Sequence, residues 1–99
     1  MNQAERELKL LDGVITALAH PTRRQILLIL QARGGEMTAG DIADRFSCRW
    51  PTVSRHLRVL VGAGLVNDQK IGRERVYQLN RHLLTRTVRK WLSWFEPDE

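Results

Sequence analysis

Apolar residues recur at helical spacing from the start of the chain. A helix predicted over residues 3–18 carries them three, four and three positions apart on one face, at Leu8, Leu11, Ile15 and Leu18. A second helix is predicted to start at Pro21, because proline suits the first turn, where its missing N–H has no partner. Either His20 or Thr22 is expected to cap this second helix.

The middle of the chain predicts two helices joined by a short turn, over about residues 38–62. Thr38 is expected to cap the first of them, which runs to Phe46 and has Asp41 at its third position. The second helix separates two faces. Its apolar side holds Val53, Leu57, Leu60 and Val61, and its other side holds Pro51, Ser54, Arg55 and Arg58.

The periodicity changes after Leu65. Two apolar segments flank a turn with Gly72 at its tip, which predicts a β-hairpin over about residues 65–79. Asn80 is expected to cap a last helix over 81–95. The apolar face of that helix carries Leu84, Val88, Trp91, Leu92 and Phe95.

These elements predict one domain over residues 1–99 that is mainly α-helical with a small β-hairpin, in the order α-α-α-α-β-β-α. A chain of this length buries a modest core, so dimerisation is a common way for it to gain further burial. Its net charge is +5, although three of its 11 acids lie within the last four residues. The basic excess in the rest of the chain indicates a polyanionic partner.

Cellular location follows from cysteine usage and from the N-terminus. Cys48 is the only cysteine, which excludes a disulfide within the chain and is typical of a reducing compartment. The first residues are charged and lack the apolar run of a signal peptide. No segment approaches the roughly 18 uninterrupted apolar residues of a membrane span. We expect a soluble, cytoplasmic protein with no membrane partner.

A short helix, a turn, a longer helix and a hairpin with a basic tip form the winged helix-turn-helix arrangement, whose second motif helix lies in the major groove of DNA. Arg55 and Arg58 on the outward face suit either guanine edges or phosphates, and Thr52 and Ser54 suit both. The hairpin adds Lys70, Arg73 and Arg75 against a single Glu74. The alternative interpretation of these arginines is a solvated charged face.

Four segments resemble the ArsR/SmtB family of bacterial transcriptional regulators: ALAHPTRRQILLIL, MTAGDIADRF, TVSRHLRVLVGAGLV and GRERVYQL. They occur in the order and spacing of that family, over about residues 17–79. The resemblance implies a homodimeric winged-helix repressor that binds an imperfectly palindromic operator in double-stranded DNA. It also implies that the first and last helices, about 3–18 and 81–95, form the dimer interface.

Site residues follow from the pattern and the resemblance together. At positions where the family contacts DNA, the chain has Trp50, Pro51, Thr52, Ser54, Arg55, Arg73 and Arg75. The full set of candidate DNA-binding residues is Arg49, Trp50, Pro51, Thr52, Ser54, Arg55, Arg58, Lys70, Arg73 and Arg75. The candidate dimer-interface residues are Leu8, Leu11, Ile15, Leu84, Val88, Trp91 and Phe95.

Many members of that family sense metals. Where the family has a cysteine pair in the first motif helix, this chain has Cys48 alone, and where it has ligands along the last helix, this chain has His82 and Glu96 without a second histidine. His20, His56 and His82 are too scattered in the sequence to indicate a site. We therefore predict no dedicated metal site and no cofactor, and the sequence assigns no effector. His82 is expected to be an exposed polar residue, and His56 either structural or phosphate-contacting.

Three further side chains have two interpretations each. Cys48 is expected to behave as a small buried hydrophobe, with a redox switch beside Arg49 as the alternative. Trp50 precedes a proline, which favours a cap residue turned toward DNA over a residue of the helix's apolar side. Trp91 and Phe95 are expected in the dimer interface, with an aromatic ligand site that includes Trp94 as the alternative.

The predicted function is therefore sequence-specific binding of operator DNA, most simply as a repressor. Two alternatives stay open: a winged-helix protein-interaction module, and an architectural binder of nucleic acid with little sequence preference. An enzyme is not expected, because no nucleophile with a neighbouring base, no phosphate-binding glycine loop and no carboxylate pair is present in the sequence.

Overall fold

The structure is a computed structural model that describes residues 1–98. Within them the chain forms α1 (Gln3–Leu18), α2 (Pro21–Ala32), β1 (Glu36–Thr38), α3 (Ala39–Ala43), α4 (Trp50–Gly62), β2 (Val66–Ile71), β3 (Glu74–Leu79), α5 (Arg81–Leu92) and a final 3₁₀ turn (Ser93–Phe95). No helix in this part of the chain is both long and apolar enough to cross a membrane. The prediction of a mainly α-helical winged helix-turn-helix is confirmed.

Side chains cap the helices where the sequence predicted starts. His20, rather than Thr22, caps α2, because its Nδ1 accepts a 3.1 Å hydrogen bond from the Thr22 N–H. Thr38 caps α3 and Asn80 caps α5, each through a side-chain oxygen that accepts from a backbone N–H of the first turn. Each cap satisfies a donor that has no partner inside its helix.

Two helices are shorter than predicted. The helix expected from Thr38 to Phe46 ends at Ala43, where the chain continues in tight turns that bring Phe46 against the core. The N–H of Phe46 bonds to the Ala43 carbonyl three residues back, which ends the α-helical pattern. The last helix likewise ends at Leu92 and continues as the 3₁₀ turn, so the predicted helix over 81–95 is correct only in part.

The hairpin belongs to a three-stranded antiparallel sheet with the order β1-β3-β2. β2 and β3 pair from Val66 opposite Leu79 to Ile71 opposite Glu74, and Gly72 adopts a left-handed φ of 64° in the turn between them. The sequence pattern did not predict β1. Its three residues are too few to show a period of two, and it pairs with a strand that lies far along the chain.

The core lies where α1, α2 and α4 meet the sheet. Its fully buried side chains include Val14, Ile26, Leu30, Ile42, Val53, Leu57, Leu60, Leu65 and Val66. Leu65 and Val66 lie where the chain passes from α4 into the hairpin, and they are buried in the same core as the apolar side of α4. This shared core fixes the position of the hairpin relative to α4. The last helix, α5, packs along α1 at the edge of this core.

Two arginines hydrogen-bond across the junction between α1 and α2. Arg23 donates hydrogen bonds to the carbonyls of Ala17 (2.6 Å) and Thr16 (2.9 Å), and Arg24 donates one to Leu18 (2.7 Å). Both lie in the first turn of α2, where positive charge opposes that helix's dipole. They are stabilised there because the carbonyls at the C-terminal end of α1 need donors.

Candidate nucleic-acid interface

The second motif helix, α4, presents two chemically different sides. Val53, Leu57 and Leu60 on its inner side are at most 1% exposed. On its outer side Arg49, Pro51, Thr52, Arg55 and Arg58 are exposed, and Ser54 is partly buried. The inner side anchors the helix in the core, so its outer side is held as a rigid surface with two arginines and no acid.

The start of α4 differs from our prediction at one residue. Trp50 is the first residue of the helix and not its cap; the cap position belongs to Arg49, which makes no side-chain capping bond. The preference of a residue before proline for extended angles is a bias, and here the continuous helix overrides it. The Trp50 side chain is 36% exposed, which agrees with an outward orientation, and its contact with DNA remains a prediction.

The wing, defined as β2, β3 and their connecting turn, carries its basic residues at the surface. Lys70, Arg73 and Arg75 are all exposed. Arg75 also forms a 2.7 Å ion pair with Asp68 on the neighbouring strand, an acid that the sequence pattern did not link to it. Arg75 is therefore partly neutralised, and exposed pairs of this kind stabilise a fold by only about 0–1 kcal/mol.

Cys48 lies on the surface, so the expectation that it is a small buried hydrophobe is wrong. The reason is the early end of α3: the chain runs over the surface between Ala43 and Arg49, and Phe46 is the residue of this turn that packs on the core. Cys48 thus lies beside the proposed DNA-contacting surface, at the turn between the two motif helices.

The structure brings together two histidines that the sequence separates. The ring of His20, before α2, lies 4.3 Å from the ring of His56, on α4, measured between centroids. His82 is exposed on α5, as expected. Among residues 1–98 no group of three or more histidine, cysteine or acidic side chains is arranged to hold a metal ion. Nothing in the linear pattern signals the approach of His20 to His56.

The candidate dimer residues divide into exposed and buried ones. Leu8, Ile15, Trp91 and Phe95 are between 41% and 71% exposed, and Trp91 and Phe95 contact each other edge to face at 5.0 Å between centroids. Leu84 and Val88 are partly buried against the core. Leu11 is 7% exposed and belongs to the interior of its own chain.

A cavity of about 450 Å³ lies between α1 and the end of α5 and is open to solvent. Leu8 and Leu11 line it from α1, and Trp91 and Trp94 line it from the other side. An ion pair between Glu7 and Lys90 spans the two helices. The hydrogen bond from Lys90, followed by that from Gln3, lowers the pKa of the Glu7 carboxyl. We name the exposed apolar surface of α1, α5 and the 3₁₀ turn, which includes Leu8, Ile15, Trp91 and Phe95, the terminal face.

A buried helix-turn-helix core, an outward basic helix surface and an adjacent basic hairpin together define a winged helix-turn-helix nucleic-acid-binding domain. Residues 18–69 match the family model described as a helix-turn-helix domain.

Named relatives carry the comparison further. The chain is 38% identical to the transcriptional repressor SdpR of Bacillus subtilis, over 90% of this chain and 97% of that protein. It is 37% identical to an arsenical resistance operon repressor of Staphylococcus xylosus, over 77% of this chain and 71% of that one. A crystal structure of an ArsR family transcriptional regulator superposes with a TM-score of 0.77 at 29% identity, covering 99% and 100% of the two chains. The chain therefore belongs to the ArsR/SmtB family of winged helix-turn-helix transcriptional regulators.

Proposed function

We propose that the chain is a repressor of transcription that binds a palindromic operator as a homodimer, with α4 in the major groove and the wing on the adjacent backbone. The observation that carries this proposal is the division of α4 into a fully buried apolar side and an exposed side with Arg55 and Arg58. The two named relatives are repressors, which supports the same direction of regulation.

Base reading is assigned to the first half of α4. Arginine forms a bidentate pair with the O6 and N7 atoms of guanine, and threonine and serine hydroxyls bond to several base edges or to phosphate. Arg55, Thr52 and Ser54 lie on the first turns of the helix, the part that contacts base edges in helix-turn-helix proteins. Trp50 is proposed to contact sugar or a thymine methyl next to them.

Contact with the DNA backbone is assigned to the wing. Arg73 and Lys70 are exposed, and the structure gives them no ion-pair partner within residues 1–98. Phosphate contacts fix the orientation of a protein on the duplex without reading sequence. Arg75 contributes less in this proposal, because Asp68 already holds its guanidinium.

The homodimer is proposed to form through the terminal face. Monomeric soluble proteins rarely expose a large continuous apolar patch, and here Leu8 and Trp91 lie exposed at the cavity between α1 and α5, with Ile15 exposed further along α1. A second copy of the chain would cover them and fill the cavity. In this proposal Leu11, which is 7% exposed and lines the cavity, contacts the part of the partner that fills it.

Selection of bound duplexes from a random pool at fixed salt tests the proposed function. We expect enrichment of one palindrome whose half-sites are centred about 34 Å, or about 10 base pairs, apart, or a multiple of that distance. Strong binding without an enriched sequence and with a steep salt dependence would identify an architectural binder instead. Absence of any DNA binding would favour the alternative function, a protein-interaction module. Repeating the selection with metals, oxidants and metabolites searches for an effector.

A cytoplasmic location is part of the proposal, since bacterial operators are reached from the cytoplasm. The named relatives are transcriptional regulators rather than enzymes, and we propose no catalytic activity for this chain.

A further inference from the structure

The contact between His20 and His56 joins two parts of the molecule with different proposed roles. His20 belongs to the junction between α1 and α2, and His56 belongs to α4. Their rings are 4.3 Å apart between centroids and inclined at 45°, which is a direct packing contact. The Nδ1 of His20 is occupied by the Thr22 N–H, so the orientation of that ring is fixed by the cap of α2.

The surroundings of His56 suit a neutral ring. The residue is partly buried, and its Nδ1 atom is inaccessible to solvent and without a hydrogen-bond partner in the described part of the chain. The titratable and charged groups that act on it are His20 at the junction, Arg23 on α2 and Arg55 on α4 itself. None of the three is acidic, so a proton on His56 would place a positive charge among other basic groups.

The junction also holds the end of the proposed dimer helix. Arg23, whose charge acts on His56, donates its hydrogen bonds to the carbonyls of Ala17 and Thr16 at the end of α1. A disturbance at His56 therefore acts at the point where α1, α2 and α4 meet. Arg55, on the outward surface of α4, is the residue directly before His56.

We propose that His20 and His56 form a positioning pair that holds α4 at the angle required for operator binding while His56 is neutral, and that weakens this hold in mildly acidic solution. The inference rests on the proposed function, because its readout is the affinity for operator DNA. Neither histidine is proposed to touch a base. His56 acts through the placement of Arg55 and its neighbours on the same helix.

The direction of the pH effect follows from the burial of His56. Burial first, then the neighbouring basic residues His20, Arg23 and Arg55, lower the pKa of His56 from 6.5, the ordinary value for histidine. As the pH falls below about 6.5, the unfolded chain takes up this proton before the folded chain does. The free energy of unfolding therefore decreases over that interval until the lowered pKa is passed, and it is unaffected by this group at higher pH.

The test compares operator affinity at about pH 7.5 and about pH 5.5, at equal ionic strength, with the duplex found by selection. We expect wild-type binding to weaken severalfold at the lower pH, because protonated His56 no longer holds α4 in place. In His56→Gln, and in His20→Asn, which retains a side-chain acceptor suited to the cap of α2, this ratio should approach one. His82→Gln, which removes an exposed histidine on α5, should keep the wild-type ratio.

Three results would overturn the positioning pair. Wild-type affinity that does not change between the two pH values is the first, and a ratio that survives His56→Gln is the second. The third is tighter binding at low pH that disappears in His56→Gln, which would make His56 a phosphate contact. Binding at pH 7.5 tests the proposed function separately, because the lowered pKa of His56 leaves that ring neutral there.

Discussion

The outer side of α4 and the terminal face are both exposed, yet their chemistry is opposite. The first presents Arg55 and Arg58 with no acid on the same helix, and the second presents Leu8 and Trp91 at an open cavity, with Ile15 exposed further along α1. Exposure alone would assign neither surface a partner. The character of the exposed atoms does: a cationic helix surface fits a polyanion, whereas exposed apolar atoms are stabilised by removal from water.

The largest expected effect is loss of the dimer when a charge is placed on the terminal face. Ile15→Glu places a charge on the terminal face, and an unpaired charge buried in an interface costs about 3–5 kcal/mol, so the dimer should dissociate at working concentrations. Ile71→Glu is the matched control, because Ile71 is as exposed (52% against 51%) but lies on the wing. Sedimentation equilibrium measures both. A monomeric Ile71→Glu, or a dimeric Ile15→Glu, would contradict the assignment of the terminal face.

The inner side of α4 is expected to give the next largest effect. Leu60→Ala removes a fully buried side chain and should lower the free energy of unfolding by about 2–5 kcal/mol at every protein concentration. Leu8→Ala, on the terminal face, should lower it by an amount that grows with protein concentration, since the lost burial occurs between copies. Leu28→Ala, on the exposed side of α2, controls for truncation of an exposed leucine. Urea denaturation at two concentrations distinguishes these cases.

The outer side of α4 is tested by two variants, one that removes a cation from α4 and one that removes a cation from α5. Arg55→Ala should weaken operator binding by about 1–3 kcal/mol and relax the preferred base at one position. Arg89→Ala removes the same charge from the exposed surface of α5 and should leave the preferred sequence unchanged. Competition titrations with operator variants give both values. A uniform loss across all variants would make Arg55 a phosphate contact, and an equal loss in both mutants would remove the distinction between the helices.

The smallest expected effects concern the wing. Arg73→Ala should lower the slope of log affinity against log salt by about one, the loss expected for one phosphate contact. Arg75→Ala should change that slope less, because the ion pair with Asp68 already holds its charge. Filter-binding titrations at several salt concentrations measure the two slopes. Equal decreases would show that Asp68 does not restrain Arg75 in the complex.

The sequence predicted what depends on local pattern. The apolar face of α4, with Val53, Leu57 and Leu60, was read correctly because helical spacing alone selects it. The turn at Gly72 and the cap at Asn80 are likewise short-range features.

What the sequence did not predict depends on contacts between distant residues. β1 exists because it pairs with β3, and the contact of His20 with His56 exists because the core brings α2 and α4 together. The prediction that Cys48 is buried is wrong because its burial depends on where α3 ends. Leu11 shares its helical face with Leu8 and Ile15, and only packing against α5 and the core decides which of them its own chain covers.

Amide hydrogen exchange of the whole protein, with and without the selected operator duplex, tests the division of surfaces most directly. DNA binding is predicted to slow exchange in the first turns of α4 and in the wing strands, Val66–Ile71 and Glu74–Leu79. Exchange along α1 and α5 should already be slow in the free dimer and should not change on DNA binding. Protection that appears on α1 or α5 only with DNA, while α4 stays unchanged, would contradict the account.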